Sequence, residues 1–132
     1  AEGVRQATAA WGLRLCCQNL QFASDTVTTI MVPDGFDGDQ LVAHAYDRYS
    51  MSFGVGLGQL AGKAFRIGHL GALSEAQALS GLAIIEMAML DLGYPISSGS
   101  GVAAAQEWYR SAFSDHSVDA SASDESACED VA

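Results

Sequence analysis

The stretch KAFRIGHLG, residues 63–71, sets a guanidinium and an imidazole into an otherwise apolar run. Phe65, Ile67 and Leu70 suit a buried sheet. Arg66 interrupts them, and an arginine is rarely fully buried without a partner. On an extended strand Arg66 shares a face with Ala64 and Gly68, whose small size leaves space before the guanidinium. A planar fork with room before it suits a carboxylate, held by two parallel hydrogen bonds. The competing possibility is a structural ion pair with one of the chain's sixteen acidic residues. His69 falls on the opposite face if the strand stays regular, the position of a satisfied structural histidine, while His44 and His116 read as solvated.

Other chemistry is less well supported. Lys63 is the sole lysine and would be the candidate for a Schiff base. Its neighbours Gly62 and Ala64 supply no anionic partner, so it reads as a solvated side chain. Gly56, Gly58 and Gly62 make a loose dinucleotide-loop spacing. Such a loop must open a long helix, and here a strand-like segment follows instead. Cys16 and Cys17 are adjacent and Cys128 is remote, an odd set without metal-ligand spacing. Reduced thiols in a cytoplasmic protein, with no metal, are the expectation.

The elements that must position Arg66 can be read from punctuation and periodicity. Val4, Ala7 and Trp11 mark one face of an opening helix that Gly12 ends. LRLCCQ and TVTTIMVP (26–33) read as strands. Asp37, with Gln40 three residues on, starts a helix through Tyr49 whose apolar face is Val42, Ala45, Tyr46 and Tyr49. MSFGVGLG (51–58) reads as a strand with Gly54, Gly56 and Gly58 on one face, so something must approach that backbone closely. After the AFRIGHL strand, Ser74 and Gln77 form a capping box for a helix striped by Leu82, Ile85, Met89 and Leu92. A last helix covers 102–113, with Val102, Ala105, Tyr109 and Ala112 on one face. Residues 114–132 hold six acids and no Lys or Arg, and read as a disordered tail behind a domain spanning 1–113.

This order predicts an α+β domain: a small antiparallel or mixed sheet with helices on one side. The chain has 132 residues, 49% apolar and 17% charged, which fits one globular domain. A net charge of −10 speaks against nucleic-acid binding and against docking on an anionic membrane. No apolar run approaches the ~18 residues of a membrane span. No basic segment followed by an apolar one suggests secretion. Opening at Ala1, inside a helical pattern, raises the expectation that the chain is part of something longer.

Three segments carry a resemblance. TVTTIMVPDGFDGDQLVAHAY, SFGVGLGQLAGKAFRIGHLG and SGLAIIEMAMLDLGYPISSGSGVAAAQEWYR resemble the C-terminal part of class V aminotransferases, closest to the serine–glyoxylate branch. The likeness runs from Ala1 to about Ser111, and GLGQLAGKAFRIGHLG is its most specific part. It implies a domain like the small domain of fold-type I pyridoxal-phosphate enzymes. It implies pyridoxal 5'-phosphate held by a lysine of a separate large domain, so this chain carries no catalytic residue. It implies that Arg66 binds the substrate carboxylate, with His69 as a second substrate-binding candidate. The implied reaction passes an amino group from serine or alanine to glyoxylate or a similar 2-oxo acid, in a homodimer. This chain alone is then expected to be inactive. The alternative is a non-catalytic small-molecule binding or assembly module that kept Arg66.

Overall fold

The structure is a computed structural model that describes residues 1–124, with side chains through residue 114. In chain order the elements are α1 (Glu2–Ala10), β1 (Arg14–Leu15), β2 (Val27–Met31), α2 (Gly38–Tyr49), β3 (Gly54–Val55), β4 (Ala64–Gly68), α3 (Glu75–Asp91) and α4 (Ser100–Asp124). The strands form one antiparallel open sheet in the order β1-β2-β4-β3. The expected α+β architecture is therefore present, with β4 in the interior of the sheet.

Strand parity divides the sheet into two faces. Thr28 and Ile30 of β2 stand opposite Ile67 and Phe65 of β4, and all four are buried. They join one core with Val4 and Ala7 of α1, Leu41 and Ala45 of α2, Leu82, Ile85 and Met89 of α3, and Ala105 of α4. All four helices thus feed the core that this face of the sheet closes. The opposite face carries Val27, Thr29, Met31 and Arg66.

Local signals set the helix starts. Ser74 caps α3 and forms the full capping box with Gln77. Asp37 caps α2 by accepting from the Asp39 amide at 2.8 Å, two residues on. The buried stripe of α2 differs from the one expected. Tyr46 is 61% exposed, and Leu41 is fully buried instead. The core lies nearer the N-terminal half of α2, where Gly38 is also buried, so the stripe is centred on 38, 41 and 45.

The two edge strands are shorter than expected. Within the 51–58 segment the strand is only Gly54–Val55, followed by one more bond from the Gly56 amide to the Ala64 carbonyl at 3.1 Å before a 3-10 turn at Gly58–Leu60 pulls the chain away. α4 runs to Asp124, beyond the helix expected over 102–113. The remainder of the acidic tail expected from residue 114, including Cys128, lies outside the described residues. No helix among the described residues is long and apolar enough to cross a membrane.

Candidate functional site

Arg66 sits in the middle of β4, where Phe65 and Ile67 point into the core and so force its side chain to the open face. Across the sheet it is level with Thr29 of β2 on one side and Gly54 of β3 on the other. Cys16 continues the row, its amide donating to the Thr29 carbonyl at 2.9 Å. The guanidinium does not turn toward Thr29. It lies over β3, and Nε donates to the Val55 carbonyl at 2.9 Å.

Among the described residues no carboxylate lies within ion-pair distance of Arg66. Nη1 and Nη2 have no hydrogen-bond partner there either. The acids near the other arginines are engaged locally: Glu2 and Asp25 with Arg5, and Glu107 with Arg110. The outcome is a fixed guanidinium with its two terminal nitrogens unspent, half-exposed on an open sheet face. Two parallel N–H donors in a plane match the two oxygens of a carboxylate. A hollow of about 240 Å³, lined in part by Cys16, Phe22, Val27 and Thr29, opens one strand away.

The three alternate glycines answer three different needs, two close approaches and one left-handed turn. A Cβ on Gly54 would stand 3.1 Å from both Cβ and Nε of Arg66. A Cβ on Gly56 would collide with the carbonyl of Leu60 and press on that of Ala64. Gly58 has φ +57°, the left-handed region that glycine adopts without strain.

His69 is not brought together with Arg66. It follows β4 on the opposite face, buried. Its Nδ1 lies 2.9 Å from the Asp25 carbonyl oxygen, which can only accept, so Nδ1 carries the proton. Nε2 of the neutral ring then accepts from the Thr28 hydroxyl at 2.8 Å. Burial holds its pKa below the ordinary 6.5. Both ring nitrogens are thus spent on tying the end of β4 to the start of β2.

Lys63 is exposed in the turn before β4. Its carbonyl accepts from the Val32 amide, extending the β2–β4 pairing by one rung, so its side chain has the parity opposite to Arg66. His44 is not merely solvated: Nε2 sits 2.9 Å from Asp91 Oδ2, which also accepts from the Tyr49 hydroxyl at 2.6 Å. Both hydrogen bonds draw the Asp91 pKa down, and the Tyr49 phenol is raised in turn. Among the described residues no group of three His, Cys, Asp or Glu side chains could hold a metal ion.

Sequence reasoning singled out Arg66 but missed what its side chain meets, the bare backbone of Gly54 and the Val55 carbonyl. The alternating glycines were the available signal. It also missed the buried Glu86, which accepts from Trp11 Nε1 at 2.7 Å, from the Gly101 amide at 2.9 Å and from the Gly99 amide.

No family model matches the sequence. The chain is 61% identical over 110 residues to the L-aspartate–glyoxylate aminotransferase of Paracoccus denitrificans, across 83% of this chain and 28% of that protein. It is 49% identical over 109 residues to the serine–glyoxylate aminotransferase of Methylorubrum extorquens, across 83% of this chain and 27% of that one. Its fold matches the crystal structure of pyridoxamine–pyruvate aminotransferase from Mesorhizobium loti with a TM-score of 0.77 and 32% identity, over 83% of this chain and 28% of that chain. The architecture is therefore that of the small domain of an aminotransferase. The chain belongs to the class V aminotransferase family, and it spans 27–28% of the length of these relatives.

Proposed function

We propose that this chain is the substrate-carboxylate domain of a pyridoxal-phosphate aminotransferase that passes an amino group from serine or alanine to glyoxylate or a similar 2-oxo acid. The observation that carries this reading is the unspent Nη1/Nη2 fork of Arg66. Donor and acceptor both present an α-carboxylate, so one clamp serves both half-reactions. Binding there fixes the substrate in translation and rotation, which is the larger part of what a protein contributes beside an organic cofactor. When bound, pyridoxal phosphate supplies the electron sink for amino transfer. The residues described here do not fit a cofactor site of their own. The sole lysine has the parity opposite to Arg66 and follows a tight turn. The cofactor and its lysine would come from outside these 132 residues, and the intact enzyme is read as a cytoplasmic homodimer on the resemblance. His69, with both nitrogens occupied, serves to position β4 and does not touch substrate.

The identity of the donor has a second reading. The relative at 61% identity is named for L-aspartate, against serine for the one at 49%. Comparing kcat/KM for L-serine, L-alanine and L-aspartate in the full-length enzyme decides between them. The clamp itself is tested by Arg66→Lys in that enzyme, which keeps the charge and loses the fork. A hydrogen bond to a charged group is worth about 1.5–3 kcal/mol, so kcat/KM should drop roughly ten- to hundredfold for donor and acceptor alike. An unchanged kcat/KM beside a lowered melting temperature would sink the assignment. This chain alone, given pyridoxal phosphate, is expected to transfer no amino groups.

A further inference from the structure

Gly54 stands in a strand, where glycine is a poor choice because it contributes no packing and costs the most backbone entropy. Its φ is not in the left-handed region, so backbone geometry does not require it. What distinguishes the position is what lies on it. Gly54 is the cross-strand partner of Arg66, and a Cβ there would stand 3.1 Å from Arg66 Cβ, 3.1 Å from Nε and 3.4 Å from Cζ. The missing side chain is a trough in which the arginine stem lies flat across β3. At the end of that trough Nε meets the Val55 carbonyl at 2.9 Å.

The Val55 carbonyl belongs to an edge strand. Gly54 directs its backbone groups toward β4, so those of Val55, one residue on, face away from the sheet. Arg66 reaches over its neighbour strand to satisfy that outward carbonyl. The bond spends the one guanidinium nitrogen that is not part of the terminal pair. Nη1 and Nη2 are left as an end-on fork with a fixed plane.

We propose that Gly54 is the positioning residue for Arg66: its bare backbone lets Nε lock onto Val55, so the clamp meets its ligand end-on through Nη1 and Nη2 and selects a planar carboxylate. The proposal rests on the reading of Arg66 as the carboxylate clamp. With Nε already occupied, side-on pairing through Nε and one Nη is closed. The stem lies toward the β3 edge and away from Thr29, which leaves the ground before the fork free of side chains from β4, where Ala64 and Gly68 flank Arg66.

The test uses the whole 132-residue chain labelled with 15N and 13C. The Arg66 Nε–Hε signal is assigned by its loss in Arg66→Lys. In the wild-type chain this signal should exchange slowly with water and show a coupling across the hydrogen bond to the Val55 carbonyl carbon. Gly54→Ala, with its Cβ too close to Nε, should speed Hε exchange by about threefold to tenfold, the worth of one ordinary hydrogen bond. It should weaken acetate binding by a similar factor, with little change in melting temperature. Gly81→Ala is the control: it lies in α3, away from Arg66, with nothing within 4 Å of the added Cβ, and should move neither reading. A wild-type chain without the coupling, or a Gly54→Ala chain with unchanged Hε exchange, overturns the proposal. Should the wild-type chain show the coupling and yet fail to titrate with acetate, the clamp reading falls while the positioning of the guanidinium by Gly54 stands, so the two failures are separable.

Discussion

The indole of Trp11 and the carboxylate of Glu86 meet in the interior, 75 residues apart in sequence, with Nε1 donating to Oε2 at 2.7 Å. Glu86 lies in α3 yet also accepts the amides of Gly99 and Gly101 at the start of α4. A buried carboxylate is tolerated where donors surround it, and here it caps one helix from the side of another. Gly101 is part of the same arrangement, since a Cβ there would stand 2.3 Å from the Trp11 ring.

Glu86→Ala should therefore be among the costly substitutions. It strands the indole N–H of Trp11 and the Gly101 amide in the interior, each unsatisfied buried donor costing about 1–3 kcal/mol, and it takes the acceptor from the Gly99 amide as well. Urea unfolding should show a loss of about 3 kcal/mol or more. A loss under about 1 kcal/mol would mean that water replaces the carboxylate without penalty.

His69 gives the fold a pH dependence with a definite sign. Its folded pKa lies below the ordinary 6.5, so between those values the unfolded chain binds more protons than the folded one. The neutral ring's contribution is full above pH 6.5, declines as pH falls through 6.5, and levels off below the folded value. Thermal melts from pH 8 to pH 5 should fall on the acidic side, and His69→Gln should flatten that part of the profile. A profile that keeps its slope in His69→Gln would assign it to other groups.

Tyr94 supplies the opposite case. Its ring packs on Phe36 with centroids 4.3 Å apart, and its buried hydroxyl has no hydrogen-bond partner among the described residues. Burial, with the nearby Asp37 charge, pushes the phenol up to about 12. Tyr94→Phe keeps the ring and removes the unpaired group, so the melting temperature should hold or rise. A fall equivalent to more than about 1 kcal/mol would show that the hydroxyl is bonded in solution.

Much of the scaffold was legible because it is set by near neighbours in sequence. The Ser74–Gln77 capping box and the Leu82, Ile85 and Met89 stripe depend on spacings of three or four residues and stand as read, whereas Leu92 is only partly buried at the C-cap and Asp37 caps α2 through the Asp39 amide, without the expected box with Gln40. The parity of β4 likewise fixed which face Arg66 takes and that Ala64 and Gly68 flank it, because successive strand side chains alternate whatever lies beside them. That parity also separated Arg66 from His69. The partners of these groups were not legible. Nothing local says that β3 pairs with β4 so that Gly54 receives the Arg66 stem, that Nε finds Val55 eleven residues back, or that Glu86 collects donors from α1 and α4. Nor could periodicity choose Leu41 over Tyr46: the two lie about 140° apart on α2, Ala45 falls between them and fits either stripe, and only the position of the core decides. The sequence determined that a guanidinium would stand on an open strand face. Strand pairing alone decided that one of its nitrogens is spent on an edge carbonyl and two are left facing solvent, because a hydrogen bond is satisfied by whichever backbone the sheet brings within reach.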